Sequence, residues 1–205
     1  SSPSNIAIIK YWGKSENQIP LNPSLSLTLK NSKTITGIKF KKTTNPIIKV
    51  NYDNKHEPAF EERIKLYLKK IENDLPYLNH YDIEVNTTNT FPHSTGIASS
   101  ASAFSALALC LYSIENEIQN TEDLLKISNL ARLGSGSASR SIYPIASLWG
   151  LTKHIPNTSN EYAIDFSKSI HPIFRNLQNT ILIINDEQKE VSSSKGHQVM
   201  MDNPY

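Results

Sequence analysis

Two periods of hydrophobic patterning share this chain. Ser24–Leu29 reads Ser-Leu-Ser-Leu-Thr-Leu, a period of two that predicts a strand with one apolar face. Lys33–Phe40 alternates around Ile35 and Ile38, with Gly37 weakening the pattern, and Ile47–Tyr52 is another short β-type run. Over Phe60–Ile71 the period changes. Phe60, Ile64, Tyr67, Leu68 and Ile71 share one face of a predicted helix, with Glu and Lys opposite. Asp82–Val85 returns to a short strand. In the second half, Ala98–Ile114 predicts a helix, with Phe104, Leu107, Ala108 and Leu111 at i, i+3, i+4 and i+7. Thr121 is expected to cap a further helix running to Arg132. Ser141–Trp149 and Thr180–Ile184 predict strands, the second buried on both faces. Helices and strands do not alternate strictly. The expected class is therefore α+β, a mixed sheet packed with helices, and not a doubly wound dinucleotide fold.

Composition narrows the class of function more than the fold. The 205 residues are 38% hydrophobic and 20% charged, which excludes a disordered tail and predicts one domain, or one and a half. Net charge is +2, which gives no electrostatic case for a nucleic-acid partner. The single cysteine, Cys110, excludes an internal disulfide and a Cys-based zinc site, and points to a reducing, cytoplasmic setting. The longest apolar-leaning stretch, Ala101–Ile114, falls short of the ~20 residues of a membrane span. The chain opens at Ser1 without Met and closes at Tyr205 just after a helix-like start, so it is expected to be an excerpt.

Several common chemistries are absent from the motifs. There is no G-x-x-x-x-G-K-[ST] loop, no G-x-G-x-x-G fingerprint and no G-x-S-x-G elbow, and the six histidines have no metal-ligand spacing. Three segments stand out instead. In Phe91-Pro-His-Ser-Thr-Gly-Ile-Ala-Ser-Ser-Ala-Ser-Ala103, Pro92 and Gly96 mark a loop whose small residues run straight into a helix. The unpaired N–H groups and dipole of a helix start suit phosphate, and Ser94, Ser99, Ser100 and Ser102 add hydroxyls. The plainer alternative is a Ser/Ala-rich helix packed closely on its neighbour. Leu133-Gly-Ser-Gly-Ser-Ala-Ser-Arg-Ser141 ends in Arg140, a cation suited to bidentate binding of phosphate or carboxylate. Its alternative is a helix stop at Gly134. Asn5-Ile-Ala-Ile-Ile-Lys-Tyr-Trp-Gly-Lys14 places two lysines around two aromatics after a short strand. Either lysine alone reads as a solvated residue; together the three segments point to a phosphorylated, polyanionic ligand.

These three motifs resemble those of the diphosphomevalonate decarboxylases, members of the GHMP kinase superfamily. The Lys-Tyr-Trp-Gly-Lys run is the most specific of them, and the resemblance extends from Ser4 to about His197. It implies the GHMP-kinase N-terminal lobe, a ribosomal protein S5 domain 2-like fold, over 1–185, with 186–205 beginning a C-terminal GHMP domain. It also implies an enzyme that uses ATP and Mg²⁺ to phosphorylate the tertiary 3-hydroxyl of mevalonate 5-diphosphate. The new phosphate then leaves as the carboxylate departs as CO₂, giving isopentenyl diphosphate for isoprenoid synthesis. A homodimer without nucleic-acid or membrane partners is expected.

By motif, the resemblance places Pro92, Ser94, Gly96, Ala98, Ser99, Ser100 and Ser102 on ATP, with Ser100 also near the metal. Tyr11 and Lys14 contact the substrate diphosphate. Ser135, Gly136, Ser137 and Arg140 hold the substrate, with Arg140 on its carboxylate. Lys10 lies near the transferred phosphate or the substrate carboxylate, Asn5 supports Lys10 or that carboxylate, and Ser192 with Ser193 touches phosphate. Three features depart from the family pattern. His93-Ser94-Thr95 and Tyr143-Pro144-Ile145 replace commoner sequences, and no Asp matches the family's catalytic aspartate, Asp202 included. Two alternatives stay open: a related GHMP kinase of mevalonate or its phosphate that does not decarboxylate, and a non-catalytic nucleotide-binding fragment.

Overall fold

The computed structural model describes residues 1–92, 98–119, 123–180 and 182. Their strands form one seven-stranded mixed sheet in the order β4-β3-β5-β2-β6-β7, with β1 also paired to β2. The strands are β1 (Ser2–Ile9), β2 (Ser24–Lys42), β3 (Ile48–Tyr52), β4 (Lys55–His56), β5 (Tyr81–Asn89), β6 (Ala146–Trp149) and β7 (Ala163–Asp165). Three helices accompany them: α1 (Pro58–Ile71), α2 (Ser99–Gln119) and α3 (Leu124–Gly134). All pairings are antiparallel except β3 with β5, the two strands joined through α1. The expected α+β class with a mixed, helix-packed sheet is what the chain adopts.

The two strands predicted at Ser24–Leu29 and Lys33–Phe40 are one strand of 19 residues. The polar run Lys30-Asn31-Ser32 does not end it. Pairing to β1 jumps from Ser4↔Leu29 to Pro3↔Lys33, so those residues are taken up as an irregularity while the strand continues. The first half of β2 then pairs with β1 and β6, and the second half with β5.

The helices cover the sheet through an apolar core that includes Val50, Leu68, Ile71, Ile83, Val85, Phe104, Leu107, Leu111, Ile127 and Leu130. Where α2 meets β1 and β2 the contact is polar instead. Ser24, Ser26, Thr34 and Thr36 are the buried positions of β2. Ser2 Oγ lies 2.6 Å from Ser105 Oγ, and Thr34 Oγ1 lies 2.7 Å from Ser102 Oγ. Small hydroxyl residues on both surfaces let the helix close on the strands.

Three expectations are corrected. The residues from Ser141 do not form a strand as far as Trp149. Gly136–Ile142 is a 3-10 helix, Pro144 offers no N–H to a ladder, Ile145 takes φ +64°, and strand geometry is confined to Ala146–Trp149. The cap of α3 is Asp123, whose Oδ1 accepts from the N–H groups of Leu125 (2.9 Å) and Lys126 (3.0 Å); Thr121 lies outside the described residues. Of the strand expected at Thr180–Ile184, Thr180 and Leu182 are described and neither is in a strand. The boundary expected at 185 lies outside the described residues. Among the described residues no helix is long and apolar enough to cross a membrane.

Candidate functional site

Arg140 lies on the 3-10 helix Gly136–Ile142 and is 2% exposed. Its Nη1 donates to Ser24 Oγ at 2.8 Å, and Nε and Nη2 reach Asn5 Oδ1 at 3.4 Å. Asn5 is fixed in turn: its Nδ2 donates to Ser141 Oγ (2.7 Å) and to the Ser137 carbonyl (3.0 Å). The guanidinium carbon stands 5.4 Å from the centre of the Tyr11 ring and 5.6 Å from that of Trp149, and the two rings meet edge to face at 5.1 Å. No carboxylate among the described residues pairs with this cation. Burial pushes its pKa down to about 10, with Tyr11 pulling weakly the other way, so it stays charged at neutral pH. Burial likewise raises the Tyr11 hydroxyl, and Arg140 opposes that rise.

Trp149 is fully buried and anchored by Nε1 donating to the Asn160 carbonyl at 2.9 Å. Gly136 exists because of it, since a Cβ there would stand 2.7 Å from the indole ring. Gly134 does end α3, but its backbone is outside the left-handed region; a Cβ at that position would fall inside the Phe104 ring. Close packing, not helix termination, requires glycine here.

Lys14 stands in the loop between β1 and β2. Its Nζ donates to Gln18 Oε1 at 2.5 Å, and the same oxygen accepts from the Gly136 N–H at 3.3 Å. The ammonium therefore shares an acceptor with the Ser135–Ser137 segment. Burial lowers its pKa most, followed by repulsion from Arg63 and Lys70. Across the segment, Ser135 Oγ lies 3.3 Å from Ser100 Oγ and 3.4 Å from Ser137 Oγ. Two of the sequence motifs thus meet in one chain of hydroxyls at the start of α2. Beside it opens a mainly apolar cleft of about 630 Å³ including its mouth, bounded by Tyr52, Phe60, Arg63, Ser99, Ser100 and Phe104 among others.

The structure brings Asn5, Tyr11, Arg140 and the Ser135–Ser137 segment together, with Lys14 and Ser100 adjoining. Lys10 follows β1 with an exposed side chain that enters none of these bonds; its carbonyl accepts from Asn22 Nδ2 at 2.9 Å. Pro92 and Ala98 are exposed, Ala98 with φ +51°. Ser99 borders the cleft. Ser102 is fully buried against β2, close to Thr34 and donating to the Ser99 carbonyl at 3.2 Å, so it faces the sheet and not the cleft. Ser94, Gly96, Ser192 and Ser193 lie outside the described residues. Three residues of the site carry no motif signal: Gln18, Asn22 and Ser24. Asn22 clamps the Lys10–Trp12 turn, its Oδ1 accepting from the Trp12 N–H at 3.0 Å. The Asn-Pro step at 22–23 is the one sequence sign of that turn.

Residues 2–163 match the model of the diphosphomevalonate decarboxylase-like N-terminal domain. The diphosphomevalonate decarboxylase of Ganoderma lucidum is 33% identical over 215 residues, covering 97% of this chain and 52% of that protein. The crystal structure of mevalonate diphosphate decarboxylase from Staphylococcus aureus is similar with a TM-score of 0.71 and 31% identity, covering 96% of this chain and 57% of that one. A solved structure of MDDEF in complex with MVAPP, AMPPCP and magnesium is similar with a TM-score of 0.64 and 30% identity, covering 80% of this chain and 48% of that one. The chain spans about half the length of the curated relatives it matches.

Proposed function

Because the chain belongs to the diphosphomevalonate decarboxylase-like N-terminal domain family, we propose that it forms the ATP- and substrate-binding lobe of an ATP-dependent decarboxylase of mevalonate 5-diphosphate. The lobe has the GHMP-kinase type of fold expected from its motifs. On this reading 1–185 is the lobe and 186–205 begins the second domain. The carrying observation is Arg140, a buried cation held by neutral groups, with no carboxylate partner among the described residues. A charge removed from water without a counterion is costly, and the matching anion is the substrate carboxylate.

The side chains then divide the work by chemistry. Arg140 fixes the carboxylate and disfavours its protonation, so that its electrons are available when the adjoining carbon loses its leaving group. Asn5 and Ser24 hold the guanidinium in register. Lys14 and Tyr11 take the diphosphate, and Ser135 and Ser137 add hydroxyl donors. Ser99 and Ser100, at the N-terminus of α2, meet the nucleotide phosphates, whose negative charge the helix start favours. The apolar cleft beside them suits the base of the nucleotide. Lys10, exposed beyond β1, reaches toward the transferred phosphate.

Among the described residues no group of three His, Cys, Asp or Glu is placed to hold a metal ion. A Mg²⁺ arriving on nucleotide phosphates would take the Ser100 hydroxyl, at the start of α2 and 3.3 Å from Ser135 Oγ, as a protein ligand. The ion supplies charge neutralisation on those phosphates. We assign the base that takes the hydroxyl proton to the part of the relatives that this chain does not span. A cytoplasmic, homodimeric enzyme is the setting we propose.

The test supplies Mg-ATP and mevalonate 5-diphosphate to the longest natural polypeptide containing this segment, and counts ADP and CO₂. Equal amounts support the decarboxylase. ADP without CO₂ replaces it with a kinase, and neither product replaces it with a non-catalytic nucleotide-binding protein.

A further inference from the structure

Gln18 and Arg132 belong to none of the motifs, yet they are tied to the anion site through the loop that carries Lys14. Arg132 is 4% exposed on α3. Its Nε donates to the Glu161 carbonyl at 2.6 Å, its Nη2 donates to Asn129 Oδ1 at 2.6 Å, and its Nη1 donates to the Asn17 carbonyl. Asn17 and Gln18 are consecutive left-handed residues, φ +53° and +61°, and neither is glycine. That conformation is unfavourable for an L-residue and persists where surrounding contacts impose it. The buried guanidinium is such a contact. It sets the direction in which Gln18 leaves the backbone.

From there Gln18 Oε1 meets Lys14 Nζ and the Gly136 N–H together. The choice of an amide matters. It orients the ammonium by one hydrogen bond but carries no charge, so the cation is placed without being neutralised. The charges that act on Lys14 from α1, Arg63 and Lys70, are of its own sign. No carboxylate among the described residues pairs with it. We infer that Gln18 is a positioning residue for Lys14, holding its ammonium beside the Ser135–Ser137 segment to receive an anionic oxygen, with Arg132 fixing the loop. This rests on the reading of Lys14 as a diphosphate ligand given above.

The test titrates inorganic pyrophosphate into the protein and its variants by calorimetry, with thermal unfolding measured alongside. Gln18→Leu removes the acceptor from both Lys14 and the Gly136 N–H, and is expected to weaken binding about tenfold, the value of one hydrogen bond to a charged group, while lowering the unfolding midpoint by about 3 °C. Gln18→Glu keeps the acceptor but neutralises Lys14. It is expected to raise the midpoint by about 2 °C while weakening binding more than about tenfold. Opposite movement of stability and affinity is something a merely structural glutamine does not produce. If Lys14→Ala loses binding while both Gln18 variants bind like the wild type, or if Gln18→Glu loses stability and affinity together, the positioning role is overturned and the site reading stands. If the wild type takes no pyrophosphate, or Lys14→Ala binds as well as the wild type, the diphosphate reading itself falls.

Discussion

Replacing Arg140 by Met separates a cation kept for a ligand from one kept for the fold. Burial lowers the pKa of Arg140 to about 10, so at neutral pH the folded protein bears an uncompensated charge worth about 3 kcal/mol against folding. Arg140→Met relieves that. It also strips Asn5 Oδ1 and Ser24 Oγ of their donor, at about 1–3 kcal/mol, and removes the cation from above Tyr11 and Trp149, at about 1 kcal/mol. The terms nearly cancel, and the variant is expected to unfold in urea within about 1 kcal/mol of the wild type. Breaking a buried ion pair would instead cost about 3–5 kcal/mol. The sign with pH follows the same logic. A cation with a depressed pKa burdens the fold while ionised, so wild-type stability gains on the variant as pH climbs through about 10. Repeating the melts with mevalonate 5-diphosphate at a hundredfold excess over its Kd should add about 2.7 kcal/mol to the wild type and under about 0.5 kcal/mol to the variant. A loss above about 3 kcal/mol without ligand, or an equal gain with it, refutes the reasoning.

Three other substitutions or titrations test neighbouring claims. Gly136→Ala drives a methyl against the fully buried Trp149 and should cost about 1–3 kcal/mol in urea unfolding, with weaker substrate binding. Ser102→Ala should lower stability by about 1 kcal/mol and leave nucleotide affinity alone, whereas Ser100→Ala should do the reverse; calorimetry with an ATP analogue and thermal melts tell them apart. Pyrophosphate affinity should fall with rising pH earlier than an ordinary lysine would give, because burial and then Arg63 and Lys70 lower the Lys14 pKa and the anion needs the charged form. In Lys14→Met that part of the pH dependence should vanish, and its persistence would show that another group carries it.

The sequence displayed what repeats and what is charged. Helical periodicity at Phe60–Ile71 located α1 to within two residues of its start, because Ile64, Tyr67, Leu68 and Ile71 do form its buried face. Period-two patterning found both halves of β2 but does not show which side is inside. Along much of that strand the buried residues are Ser24, Ser26, Thr34 and Thr36, since the helix surface there carries serines, and only toward its end do Ile38 and Phe40 meet the apolar core. Hydrophobicity is blind to a polar interface. Of the strand expected over Ser141–Trp149, only Ala146–Trp149 forms, because the residues before it complete the 3-10 helix that carries Arg140 and the turn at Pro144 and Ile145. The motifs pointed to Arg140, Tyr11, Lys14 and Ser100 as types of chemistry. Their supports were hard to read, because Gln18 and Asn22 act through side-chain hydrogen bonds to Lys14, the Gly136 N–H and the Lys10–Trp12 backbone, which leave no periodic pattern.

The row of hydroxyls between α2 and the strands also bears on how firmly the helix start is placed. The hydrophobic driving force is itself non-directional, so an aliphatic contact takes its register from side-chain shape alone. Oxygen pairs at 2.6 Å and 2.7 Å add one: each joins a set position of α2 to a set position of β1 or β2, and a slide by one residue would part both. Those pairs act as a detent that indexes α2 along its length. Ser99 and Ser100 lie within one turn of Ser102, so the helix end proposed to meet phosphate is gauged by the strand beneath it.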